Sequence, residues 1–232
     1  KSIKLARKEL KNWSKTKQVD TPLYLFPTKS YIKKDPYGTV LIIGPFNYPV
    51  QLTFEPLIGA IAAGNTAIIK PSELTPHVSS VIRKIVEDVY KPDYIAVVEG
   101  GIEETDHLIH LPFDYMFFTG SDKVGKIVYQ AASENLVPVT LELGGKSPYI
   151  ILDDVNIQEA ARAAVMKVVN NTGQVCTAGT RTLVPESIKA DFLTAVKEEM
   201  ANIKVGDPTD SETQVGPIIS KKQFDQVQSY ID

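Results

Sequence analysis

Short apolar runs rich in β-branched and aromatic residues recur through the middle of the chain. They begin at Thr39 (TVLII), Thr66 (TAII), Tyr94 (YIAVV), Tyr115 (YMFF) and Val139 (VTLEL), with starts 21 to 28 residues apart. Helical periodicity fills the intervals. Thr75-Pro76 supplies a cap and a first-turn proline, and Val78, Val81, Ile82, Ile85, Val86 and Val89 then keep one face apolar. Residues 51–63 read as another helix, stopped by Gly64-Asn65, and Ser121 heads a third with Val124, Ile127, Val128 and Ala131 inward. Uninterrupted apolar strands alternating with helices specify an α/β fold whose parallel sheet is covered on both faces. Right-handed crossovers make it doubly wound, with ligands expected beyond the carboxyl ends of the strands.

The flanks read differently. Residues 1–16 form a charged amphipathic helix, and residues 21–37, with Pro22, Pro27 and Pro36, read as an extended arm or edge hairpin. Beyond Pro148 a second unit begins. It comprises a strand at 149–152, a helix at 156–170 headed by Asn156 and Glu159, and a strand near 181–184. A helix from Ser187 to about Ile203, a loop-rich stretch and a last helix at 221–231 follow. The expected organisation is an N-terminal helix and arm (1–37), a ligand-binding sheet domain (38–147) and the start of a second α/β domain (148–232).

Composition narrows the function classes. Twenty-five basic residues stand against 28 acidic ones, a net charge of -3, which offers no concentrated basic face for nucleic acid. A single cysteine excludes an intrachain disulfide framework and fits a reducing, cytoplasmic compartment. His77, His107 and His110 make no ligand set with it, so no metal is expected. No apolar run reaches the length of a membrane span, and KSIKLARKEL lacks the apolar stretch of a signal peptide.

Candidate chemistry gathers at the predicted strand ends and on one loop. GPFNYP (44–49) follows the first run, KPSE (70–73) the second, TGSDKVG (119–125) the fourth, and the fifth leads into LELGGKSP (141–148). Any one of these alone is ordinary turn chemistry. The lone thiol, Cys176, lies in NNTGQVCTAGT between Gly173 and Gly179. A lone cysteine is by default a small buried hydrophobe, but polar, glycine-flanked surroundings argue for a loop position.

Taken together, GPFNYP, IIKPSE, FTGS, LELGGKSP and GQVCTAG, in this order and spacing, resemble the aldehyde dehydrogenase superfamily. The wording of NYP, AIAAGN and PVTLELGGKSP is most similar to its class 3, fatty-aldehyde-like branch. The resemblance covers nearly the whole chain. It implies NAD(P)-dependent oxidation of an aldehyde to a carboxylic acid, with Cys176 as nucleophile, Asn47 as a donor to the carbonyl oxygen and Glu142 as the base that activates water. Glu142 lies between Leu141 and Leu143 at an apolar strand end, where desolvation would raise its pKa. The active site would then occupy a cleft between the two units.

The cofactor reading departs from the common dinucleotide pattern. No G-x-G-x-x-G occurs anywhere, and GPFNYP stands where it would be expected. The expectation is therefore a Rossmann-like sheet with a non-standard dinucleotide mode. Gly120, Ser121 and Gly125 open a helix whose N-terminus attracts pyrophosphate. The resemblance places Lys70 and Glu73 at the adenosine ribose and adds Pro45, Phe46 and Leu143 to the cofactor's surroundings. A carboxylate at the ribose favours NAD over NADP, with NADP still possible because Lys70 could compensate.

The resembling family continues well beyond this length, so the chain reads as a fragment of a longer enzyme whose full-length form would be a homo-oligomer. Two other functions remain open: a dinucleotide-binding module without turnover, and an acylating dehydrogenase that passes the thioester to coenzyme A. Glu142 argues against the latter, since a thiolate acceptor needs no hydrolytic base.

Overall fold

The structure is a computed structural model and describes residues 1–231, so the final residue of the third predicted segment, Asp232, lies outside it. The chain separates into two compact units, one from Lys1 to Glu142 and one from Leu143 onward, the division falling inside LELGGKSP.

The first unit opens with α1 (Ser2–Trp13). The proline-rich arm resolves as a hairpin within the chain: β1 (Lys17–Val19) pairs antiparallel with β2 (Ser30–Ile32), with a 3-10 turn at Leu23–Leu25 between them. Then follow β3 (Thr39–Ile43), α2 (Gln51–Ala63), β4 (Thr66–Lys70), α3 (Pro76–Val89), β5 (Ile95–Val97), α4 (Ile102–Ile109), β6 (Tyr115–Thr119), α5 (Asp122–Glu134) and β7 (Val139–Glu142). The last five strands make one parallel sheet in the order β5-β4-β3-β6-β7. The strand order thus reverses between β3 and β6, which opens a crevice at their carboxyl ends.

Each strand forms where the apolar runs stand, and the central ones are buried on both faces, as a doubly covered parallel sheet requires. Val40, Leu41, Ile42 and Ile43 are all buried, as are Ile69, Met116 and Phe118. One core cluster joins Val40, Ile42, Ala67, Ile69 and Ile95 of the sheet to Leu57 of α2 and Val86 of α3. Helix α3 starts at the predicted proline, and α5 starts after Ser121, whose hydroxyl accepts from the Val124 N–H at 3.3 Å. Helix α4 has no counterpart in the sequence reading. Its eight residues, IEETDHLI, are too short for a periodic stripe to stand out.

The second unit holds β8 (Pro148–Ile150), α6 (Ile157–Val169), β9 (Arg181–Leu183), α7 (Lys189–Ala201) and α8 (Lys221–Gln228). Strands β8 and β9 pair parallel. Asn156 caps α6 through the Glu159 N–H at 3.1 Å. Ile151, Ala161, Ala164, Phe192 and Ala195 form the local core. Among the described residues no helix is long and apolar enough to cross a membrane.

Candidate active site

Two sets of residues carry chemistry, one on each unit. In the first, the carboxyl edge of the sheet brings together the ends of β3, β4, β6 and β7. Backbone hydrogen bonds lock these ends in register: the Gly44 N–H donates to the Lys70 carbonyl at 3.0 Å, and the Gly120 N–H to the Glu142 carbonyl at 3.0 Å. GPFNYP and TGS leave the two strands that flank the reversal of strand order, so Pro45, Phe46, Asn47, Gly120 and Ser121 all stand at that crevice. Pro45 is buried, Phe46 and Asn47 are half-buried, and Gly125 is buried in the first turns of α5.

Lys70, the last residue of β4, is 1% exposed. An ammonium that deep requires partners. Its Nζ donates to the Pro71 carbonyl at 2.8 Å and to Glu73 Oε2 at 3.2 Å, which uses two of its three donors. Glu73, with its side chain 48% exposed, keeps the open side of the pair. The same edge holds two buried hydroxyls with no partner among the described residues, Thr53 Oγ1 under Gly44 and Thr119 Oγ1 at the end of β6.

Glu142 ends β7 and is exposed. The apolar enclosure expected from Leu141 and Leu143 is not supplied: Glu142 is exposed, and alternation along β7 sets Leu141 on the opposite face.

The second set surrounds the thiol. Cys176 is exposed, not packed into the core, so the default reading of a lone cysteine does not hold. Its loop departs sharply from α6. Asn171 and Thr172 take left-handed φ values of 50° and 57°, conformations that cost about 1–2 kcal/mol for non-glycine residues and persist only where surroundings enforce them. Those surroundings are visible. Thr172 Oγ1 donates to the Gly216 carbonyl at 3.2 Å, and the Ile219 N–H donates to Gln174 Oε1 at 3.1 Å. Tight backbone bonds from Val175 to Gly173 (2.9 Å) and from Ala178 to Val175 (3.0 Å) curl the chain around the cysteine.

A further partner comes from LELGGKSP. A Cβ at Gly145 would stand 2.4 Å from the Cys176 carbonyl oxygen, so the two backbones touch only because position 145 has no side chain. The family resemblance places Leu143 near the cofactor and gives Gly145 no task. The doubled glycine was the available signal.

Of the residues singled out from sequence, Asn47, Lys70, Glu73, Gly120, Ser121 and Glu142 therefore share the sheet edge of the first unit, whereas Leu143 and Cys176 belong to the second. Among the described residues no group of three or more His, Cys, Asp or Glu could hold a metal ion.

Known proteins are similar to this chain in sequence and fold. The model of the aldehyde dehydrogenase family matches residues 2–232. A 4,4'-diaponeurosporen-aldehyde dehydrogenase of Staphylococcus aureus is 61% identical over all 232 residues, which cover 50% of that protein. Among solved structures, the substrate-bound state of Staphylococcus aureus AldH superposes with a TM-score of 0.89 at 60% identity, covering 99% of this chain and 50% of that one. The Mycobacterium tuberculosis aldehyde dehydrogenase complexed with NAD+ gives 0.86 at 37% identity, covering 93% and 44%. The chain thus spans about half the length of the relatives it matches. With the family model matching along nearly every residue, this chain belongs to the aldehyde dehydrogenase family.

Proposed function

We propose that this chain supplies the cofactor-binding sheet and the nucleophile of an enzyme that oxidises an aldehyde to a carboxylic acid. The observation that carries the reading is the exposure of Cys176 on a loop held by four separate backbone and side-chain restraints. An inert cysteine needs neither exposure nor a strained, fixed loop. The Cys176 thiolate attacks the aldehyde carbon to give a hemithioacetal, and the Asn47 amide donates to the oxygen as it becomes an oxyanion. One such donor is worth about 3 kcal/mol in acyl-transfer sites.

The residues at the sheet edge suit a dinucleotide. A buried ammonium with a donor to spare, a half-exposed carboxylate beside it and an orphaned hydroxyl at the end of β6 form a polar crevice at the reversal of strand order. Lys70 and Glu73 would hold the adenosine ribose, and the Ser121-capped start of α5 the pyrophosphate. Pro45, Phe46 and Leu143 would border the cofactor. NAD held there would supply the two-electron acceptor for the hydride that leaves the hemithioacetal carbon as it becomes a thioester, and Glu73 would favour NAD over NADP. Glu142, exposed to solvent, takes a proton from water as that water attacks the Cys176 thioester and releases the acid.

The 61% identity to an enzyme named 4,4'-diaponeurosporen-aldehyde dehydrogenase supports an aldehyde of that kind as substrate, and the working form would be a cytoplasmic homo-oligomer. The test is turnover with NAD and a panel of aldehydes graded by chain length. Cys176→Ser should abolish it. Glu142→Gln should keep an initial burst of NADH while steady turnover falls, because acylation precedes hydrolysis. Full turnover by Cys176→Ser removes the nucleophile assignment, and equal loss of burst and steady phases removes the role of Glu142.

A further inference from the structure

Helix α4 follows β5, the edge strand beside β4, and brings a carboxylate to the Lys70 end of the sheet. The link between them is Val98–Glu99–Gly100–Gly101. Gly100 has φ 150°, and a Cβ there would lie 2.4 to 2.6 Å from Cγ, Cδ and Oε2 of Glu104. The Glu104 side chain therefore folds back over the turn and fills the volume that a side chain at position 100 would need. Its Oε2 accepts from the Gly101 N–H at 2.7 Å, and the Gly101 carbonyl in turn accepts from Thr105 Oγ1 at 2.7 Å.

The charge of this carboxylate is secured. Glu104 is exposed; its own backbone N–H lowers its pKa most, then the Gly101 N–H, slight desolvation opposes them, and the Lys70 ammonium adds to the lowering. Lys70 thus sits in the field of two carboxylates that differ in mobility. Glu73 is half-exposed and meets Lys70 through one contact at 3.2 Å, so it can rotate into solvent. Glu104 is tied to backbone and cannot leave without unmaking the start of α4.

We propose that Glu104 is a specificity-determining residue for the adenosine end of the cofactor, a fixed negative charge that disfavours a 2'-phosphate beside Lys70 even when Glu73 swings aside. The inference rests on the reading that the adenosine ribose docks at Lys70 and Glu73. Under that reading, a 2'-phosphate could recruit Lys70 by displacing Glu73, and only a carboxylate that stays in place keeps the local potential negative.

Glu104→Gln separates charge from structure, because the amide oxygen can still accept from Gly101 while the charge is gone. Dissociation constants for NAD and NADP are measured by calorimetry on the wild-type chain, on Glu104→Gln and on Glu73→Gln, at low and physiological salt. For Glu104→Gln, NAD affinity should stay within about twofold, whereas NADP binding should tighten on the order of three- to tenfold, less at the higher salt. An equal change for both cofactors, or none, overturns the proposal. If Glu73→Gln alters the NAD/NADP ratio and Glu104→Gln does not, the docking reading survives and this inference falls. If the wild-type chain binds neither dinucleotide, the docking reading falls and the inference with it.

Discussion

Replacing Gly145 by alanine tests whether the LELGGKSP segment is the support on which the cysteine loop rests. The added Cβ would lie 2.4 Å from the Cys176 carbonyl oxygen and 3.6 Å from its carbonyl carbon. A carbon and an oxygen in ordinary contact stay roughly 3.2 Å apart or more, so one of the two backbones must move by about 0.8 Å. Neither is the flexible end of a side chain. The loop that would have to give is the one held by Thr172 to Gly216 and by Ile219 to Gln174. Overpacking against such a frame costs about 1–3 kcal/mol. In a unit of this size each kcal/mol lowers the unfolding midpoint by about 4–8 °C. Circular dichroism melts should therefore show a drop of several degrees. The rate at which Ellman's reagent modifies the single thiol should change in the folded state, since the thiol rides on the displaced backbone. Under the proposed mechanism a displacement near 1 Å also costs turnover up to about a hundredfold. A Gly145→Ala chain with an unchanged melt and unchanged thiol reactivity would refute the claim that these backbones bear on one another.

Two further outcomes follow from local chemistry. Thr53 Oγ1 is fully buried with no partner among the described residues, so Thr53→Val should stabilise the first unit by about 1 kcal/mol and raise its melting point by a few degrees; a loss of stability would refute this. Asp207 has its pKa lowered by the Thr209 hydroxyl, at 2.7 Å, and then by the Thr209 N–H, at 2.8 Å. Because the folded value is the depressed one, its contribution is present above the ordinary aspartate range, near 3.9, and is lost as pH falls through the folded value. Denaturant midpoints for wild type and Asp207→Asn should thus differ at pH 6 and converge toward pH 2, and a gap that widened with acid would contradict the sign.

The sheet was legible because its residues answer to a local rule. TVLII, TAII and YMFF carry enough β-branched and aromatic bulk to specify strands without reference to anything distant, and Ser121 and Pro76 mark their helix starts by chemistry that acts within one turn. Helix α4 escaped because its eight residues hold too little periodicity, although Gly101 and Glu104 stand at capping-box spacing. The site was legible as a set of residue types but not as an environment. Sequence places Glu142 between two leucines, yet it ends β7 with Leu141 on the opposite face, and the residue is exposed. Cys176 was correctly expected on a loop, but the reason the loop holds its shape lies in Gly145, Gly216 and Ile219, between about 30 and 45 residues away. Contacts of that kind depend on how far one backbone stands from another. A glycine announces that such a contact is permitted, and only the fold says which segment makes it.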